Sequence, residues 1–110
     1  MLLGSGGVSR AIGWGLAQRR VRVAVTSRNF ESADKLAREL GGRAVAWDDR
    51  HSVQPNILIN GTPIGMFPEM DATPFRKDNL DQRTLVFDTV YNPEQTLLIR
   101  QAKAAGCPVV

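Results

Sequence analysis

The sequence predicts an α/β protein, a doubly wound parallel sheet in three α/β/α layers whose first and last strands are cut short. Three observations predict it. Runs of aliphatic and β-branched residues alternate with stretches of helical periodicity, and the connections between them are short. That alternation marks a parallel sheet covered on both faces. A glycine-rich turn follows the first strand. Finally, four runs of chemistry-bearing residues (Gly4 to Arg10, Thr26 to Asn29, Asn60 to Met66 and Asp88 to Pro93) each fall just after a strand ends. In open parallel sheets, ligands bind at that carboxyl edge.

Each element can be justified in turn. Met1-Leu2-Leu3 is a stub of strand running into the glycine turn. Val8, Ala11, Ile12, Gly15 and Leu16 then recur at helical spacing and predict a helix over about 7–19. Val21, Val23 and Val25 lie in a β-rich run, the second strand. Asn29 is a good N-cap, with Glu31 in the first turn. Ala33, Leu36, Ala37 and Leu40 line one face, and Gly41-Gly42 stops the helix. Arg43 to Trp47 is a short strand, with Asp48-Asp49-Arg50 as a polar turn behind it.

Asn56 to Asn60 reads as a buried strand, and 61–83 as irregular with one short helical turn. Leu85-Val86-Phe87 is the next buried strand, closing at Asp88. Asn92 followed by Pro93 looks like a cap with proline at the first helical position. The helix so begun carries Leu98, Ala102 and Ala105 on one side, Lys103 in its last turn and Gly106 as its stop. Pro108-Val109-Val110 opens one further strand.

The 110 residues suit one domain spanning 1–110, and the shares of 43% apolar and 23% charged residues are those of a globular chain. No apolar run approaches the ~20 residues of a membrane span, and no basic-then-apolar leader precedes the glycine turn. Cys107 is the only cysteine, which excludes an internal disulfide and makes a reducing cytoplasm the expected compartment. Of the basic residues, eleven are Arg and three Lys, and arginine suits forked recognition of phosphate. They are scattered rather than interleaved with aromatics, which argues against nucleic acid. Arg19, Arg20 and Arg22 read as a solvated corner. His51, the only histidine, is expected at the surface with no partner for a metal site or triad. Cys107 is expected as a small buried hydrophobe, Met66 and Met70 as loop packing, and Trp14 and Trp47 as cover for the sheet.

The first run, Gly4-Ser5-Gly6-Gly7-Val8-Ser9, has two glycines of a G-x-G-x-x-G pattern, with Ser9 in place of the third. Gly4 allows a tight turn and Gly6 a close backbone approach, so that amides at the helix start face a pyrophosphate. An NAD site places an acid about 20 residues later, on the ribose 2′-hydroxyl. Here Thr26-Ser27-Arg28-Asn29 offers none. A carboxylate would repel a 2′-phosphate, whereas Arg28 can pair with it and Ser27 and Asn29 can donate. The pattern therefore points to NADP(H) on a Rossmann-like fold. Read without a ligand, each motif has a structural use. Pro63 and Gly65 shape a loop, Asn60 and Asp88 cap backbone groups, and Tyr91 is a core aromatic.

Asn60-Gly61-Thr62-Pro63-Ile64-Gly65-Met66, then Val86-Phe87-Asp88-Thr89-Val90-Tyr91-Asn92-Pro93 and Thr96-Leu97-Leu98, resemble the shikimate (and quinate) dehydrogenase family over practically the whole chain. The resemblance implies that Gly4, Ser5, Gly6, Gly7 and Val8 hold the diphosphate, and Ser27, Arg28 and Asn29 the 2′-phosphate. It puts Thr62, Pro63 and Met66 along the nicotinamide, Thr89 near its ring, and Tyr91 toward a carboxylate-bearing substrate. Four departures stand out: Gly61 replaces alanine, Ser27 replaces asparagine, Leu97 replaces proline, and Ser9-Arg10 falls in a variable stretch.

By the same resemblance the general acid/base pair, a lysine and an aspartate, belongs to an N-terminal substrate domain. Lys35, Lys77 and Lys103 all fall in segments that match non-catalytic parts. The chain is then expected to be the NADP-binding domain of an oxidoreductase interconverting 3-dehydroshikimate and shikimate, with no catalytic residue of its own and inactive alone. The other class is a non-catalytic truncated Rossmann module acting in oligomerisation or partner binding. A central strand of two residues also predicts marginal stability, or a homo-oligomer that covers the cut sheet.

Overall fold

The computed structural model describes residues 1–110. Its elements in chain order are β1 (Leu2–Leu3), α1 (Gly7–Gln18), β2 (Ala24–Ser27), α2 (Phe30–Leu40), β3 (Arg43–Ala46), a 3-10 turn (Trp47–Ser52), β4 (Ile57–Asn60), a second 3-10 turn (Lys77–Asn79), β5 (Leu85–Asp88) and α3 (Leu97–Ala104). The five strands form one sheet in the order β3-β2-β1-β4-β5, every pair parallel, so β1 is central. Val109 adds an isolated parallel bridge to Val86, all that is seen of the further strand at the carboxyl end. No helix is long and apolar enough to cross a membrane.

Adjacent residues of a strand point to opposite faces, and β1 shows this in miniature. Leu2 joins the core under α1 and α2 with Val25, Ala33, Leu36, Ala37 and Ile59. Leu3 joins the core under α3 with Leu58, Phe75, Val86, Leu98 and Ala102. Both leucines are fully buried, each worth roughly 1.5–3 kcal/mol of apolar transfer. Cys107 belongs to the second core, as its small apolar character predicts.

Several expectations need correction. The α1 stripe is rotated: Ser9 and Gly13 are buried, flanked by Ile12, Leu16 and Ala17, whereas Val8 is half exposed and Trp14 nearly so. Small residues face inward because α1 packs closely: Ser9 sits against Leu3 and Gly61, and a Cβ at Gly13 would collide with the Leu40 side chain of α2. Trp14 therefore covers nothing. β2 begins only at Ala24; Val21 is exposed and its amide still closes the end of α1 by donating to Leu16 O (3.1 Å).

The third correction concerns α3, which starts at Leu97 and not at Pro93. Thr96 is the N-cap: its Oγ1 accepts from the Ile99 amide (3.2 Å) and donates to Asp88 Oδ2 (2.7 Å). Asn92 is held elsewhere, its carbonyl accepting from the Phe67 amide (2.8 Å). The fourth concerns Asp48 to Arg50, which lie inside a 3-10 turn that starts at Trp47. His51 closes that turn half-buried: its Nε2 accepts from the Arg76 amide (3.0 Å), and its ring centroid lies 5.0 Å from that of Phe75. It is a structural clasp and not a free surface group. Met66 and Met70 do not pack inward either, being 46% and 38% exposed.

Candidate functional site

Gly4 makes the turn out of β1 with φ +102°, a conformation side chains resist, and its amide donates to Thr26 O (2.7 Å). That bond ties the loop to the end of β2. The chain then enters α1 with Gly6 at the N-cap and no side chain capping the helix. The first-turn amides of α1 are thus left for an outside acceptor, at the positive end of the helix dipole. A Cβ placed on Gly6 or Gly7 would meet nothing, so the space before this turn is open. Val8 borders the same opening, half exposed.

The turn after β2 carries the next group. Ser5 Oγ donates to Ser27 Oγ (3.3 Å), and Ser27 Oγ donates to Asn29 O (2.6 Å). The Ser27 proton is therefore committed inside the turn and is not offered to a ligand, contrary to the reading of Ser27 as a donor. Asn29 caps α2 as expected, its Oδ1 accepting from the Ser32 amide (3.1 Å), which leaves its Nδ2 free to donate. Arg28 is exposed and belongs to none of the three ion pairs of the chain.

Asn60, fully buried at the end of β4, locks the two loops beyond. Its Oδ1 accepts from the Thr62 amide (3.0 Å) and hydroxyl (2.6 Å), and its Nδ2 donates to Ile64 O (3.2 Å) and Asp88 Oδ1 (3.1 Å). Its carbonyl accepts from the Thr89 hydroxyl (2.8 Å). Asp88 accepts as well from the Val90 amide (2.9 Å) and the Thr96 hydroxyl. Both motif polar residues are structural, as the ligand-free reading of Asn60 and Asp88 holds. Tyr91 is not: at 88% exposure it is no core aromatic.

A cavity of about 250 Å³ opens at this carboxyl edge, lined by Ser5, Ser27, Arg28, Asn29, Trp47, Thr62, Pro63 and Ile64. It brings together six of the sequence-predicted residues. Gly4, Gly6, Gly7 and Val8 adjoin it through Ser5, while Met66, Thr89 and Tyr91 are not among its walls. A larger cavity of about 640 Å³ lies at the opposite, amino edge of the strands, bounded by Met1, Ala24, Gly42, Arg43 and Ile57. None of the motifs reaches it, so the smaller cavity is the candidate site.

Sequence reasoning missed Trp47 as a wall. The signal was its place, directly after β3 and hence at the same carboxyl edge as the four motifs. Arg50 stacks on the Trp47 ring at 3.8 Å from its centroid, and Arg28 stands 6.0 Å from it. Burial draws the Arg50 guanidinium below its ordinary pKa; Asp48 opposes that shift, and the positive charges of Arg28 and Arg76 add to it. The edge of the cavity is electropositive.

No family model matches the chain. Individual relatives do. The NADP(+)-type shikimate dehydrogenase of Maridesulfovibrio salexigens is 38% identical over 112 residues, covering 100% of this chain and 41% of that enzyme. The chloroplastic bifunctional 3-dehydroquinate dehydratase/shikimate dehydrogenase of Arabidopsis thaliana is 35% identical over 113 residues, covering 100% of this chain and 19% of that protein. The crystal structure of shikimate 5-dehydrogenase from Thermus thermophilus in complex with NADP(H) and shikimate superposes with a TM-score of 0.86 at 32% identity, over 99% of this chain and 41% of that one. The chain thus spans about two-fifths, or less, of the length of these relatives. Between the two expected classes, homology of this extent favours the nucleotide-binding domain over the non-catalytic module. By sequence and by fold, the chain is homologous over its whole length to shikimate dehydrogenases and matches the C-terminal two-fifths of those enzymes.

Proposed function

We propose that this chain binds NADP(H) at the carboxyl edge of its sheet and presents the nicotinamide for hydride transfer in a shikimate-dehydrogenase-type oxidoreductase. One observation carries the reading. At the end of β2, where an NAD site needs an acid, Arg28 stands unpaired in a cavity beside an uncapped helix terminus. The residues fit the cofactor: the open amides of α1 suit a diphosphate, and Arg28 with the free Nδ2 of Asn29 suits a 2′-phosphate. The bound cofactor supplies the hydride. The chain's own part is to hold and orient it, with Thr62, Pro63 and Met66 along the nicotinamide, Thr89 nearby and Tyr91 toward the substrate.

In the whole enzyme the acceptor is the C3 carbonyl of 3-dehydroshikimate, and proton transfer comes from a substrate domain. The chain by itself binds the nucleotide and turns nothing over. Separate titrations with NADPH and NADH, followed by nucleotide fluorescence, test this. Wild type should prefer NADPH, and Arg28→Glu should lower NADPH affinity about tenfold or more, the scale of a charge-assisted fork lost and reversed. Equal affinity for the two nucleotides, or an unchanged Arg28→Glu variant, would sink the reading. Shikimate oxidation by the purified chain would overturn the assignment of proton transfer elsewhere.

A further inference from the structure

Two guanidinium groups share the Trp47 indole, Arg50 at 3.8 Å and Arg28 at 6.0 Å from its centroid. Their charged carbons therefore lie within about 10 Å of each other, about one screening length at 0.1 M salt. No acid forms an ion pair with either. Arg50 is fixed at two points: its Nε donates to Pro74 O (2.6 Å) and its Nη1 to Trp47 O (2.7 Å). Both acceptors are neutral carbonyls, and Asp48, which favours the charged form, makes no ion pair with Arg50. Trp47 in turn walls the cavity that Arg28 borders.

We propose that Arg50 is a second specificity residue for the 2′-phosphate, holding Trp47 as the platform for Arg28 and adding a fixed positive charge to the socket. The inference rests on the NADP-binding reading above. Two like charges on one ring repel, and a dianion beside them relieves that repulsion. A neutral 2′-hydroxyl relieves nothing, so the arrangement discriminates between the two nucleotides instead of binding both more tightly. Burial is the first cause of the lowered proton affinity of Arg50; Asp48 opposes it, and the charges of Arg28 and Arg76 add to it. Arg50 acts on the phosphate through space and through Trp47. It is a positioning residue.

The test uses the whole chain and measures NADPH and NADH dissociation constants for wild type, Arg28→Glu, Arg50→Gln and Arg50→Lys. Arg50→Gln should weaken NADPH about five- to thirtyfold, as for loss of one charge from a phosphate site, and leave NADH within about twofold. Arg50→Lys, which keeps the charge without the fork, should restore most of the NADPH preference at low salt. Rising salt should erode the wild-type preference more steeply than that of Arg50→Gln. Should Arg50→Gln lose the fold, Arg50→Lys carries the test alone: preference kept at low salt supports the proposal, preference lost overturns it. Equal losses for both nucleotides, or no loss while Arg28→Glu still discriminates, overturn the role of Arg50 and leave the NADP reading standing. Wild type that binds neither nucleotide defeats the reading itself, and this proposal with it.

Discussion

Ser9 and Gly61 occupy one small volume between the turn after β1 and the loop after β4. The Ser9 hydroxyl points into it, donating to Leu3 O (3.4 Å), and a Cβ on Gly61 would overlap that oxygen. Two departures from the family pattern, serine at the third glycine position and glycine for alanine at 61, are therefore one exchange of volume between neighbours. Gly61→Ala alone should destabilise the fold by about 1–3 kcal/mol, the cost of overpacking a filled site. Ser9→Gly in the same chain should recover most of that loss, because the remaining approach is to Leu3 O at 3.1 Å. A double-mutant cycle by denaturant melting reads the coupling directly. Additive effects of the two changes would show that they do not compete for the same space. Both departures were visible as letters in the sequence, but their connection was not, since 52 positions separate residues whose contact depends on the β1-β4 pairing. The capping role of Asn29, by contrast, depends on the amide three residues on, and local spacing sufficed to foresee it.

The elements show the same division between local and long-range causes. The place of α2 was legible because its cap, its four buried positions and its glycine stop are all within one short run. The face of α1 was misjudged because apolar periodicity selected Val8 and Ala11, whereas close approach to the turns after β1 and β4 selected the small Ser9 and close approach to α2 selected Gly13. The start of α3 was misplaced because Asn92-Pro93 is locally a good start, yet the cap that wins is Thr96, recruited by Asp88 from β5. The turn after β3 held a second surprise in His51, whose ring accepts a backbone amide from Arg76. Its pKa is lowered from 6.5, first by desolvation and then by the charges of Arg50 and Arg76. The folded state thus favours neutral imidazole. Its contribution is fully present above pH 6.5 and is lost as pH falls through the lower folded value. Melting temperature should fall between pH 7.5 and pH 5 in wild type, by about a few degrees on the scale of a domain this size. It should fall less in His51→Gln, which keeps an acceptor and does not titrate. Asp81, held low by its hydrogen bond to Arg83, titrates below 3.8 and stays out of that window. Parallel curves for the two proteins would remove His51 from the account.

For the whole molecule, the parallel sheet with its first strand at the centre was the most legible property, since short connections between alternating elements leave few topologies. With β1 central, the ends of β1, β2 and β4 are neighbours, and residues as far apart in sequence as Ser5 and Ile64 become walls of one cavity. Trp47 and Arg50 escaped because β3 borders that cluster from the outside and no motif follows it. The same geometry sets the last expectation. A dinucleotide bridging the loops after β1, β2 and β4 fastens together the ends of three neighbouring strands, so binding should act on the stability of the sheet. At NADPH concentrations a hundred times its dissociation constant, linkage stabilises the folded state by about 2.7 kcal/mol. For a domain of this length that is a rise of about 10 °C or more in melting temperature. NADH at the same concentration should raise it less, by the amount its weaker affinity dictates, and the difference should vanish in Arg28→Glu. Scanning calorimetry with each nucleotide over a range of concentrations gives the dependence. A melting point that rises equally with both nucleotides in Arg28→Glu and in wild type would mean that the site at β2 does not read the 2′-phosphate, and a melting point that moves with neither would mean that the carboxyl edge holds no nucleotide.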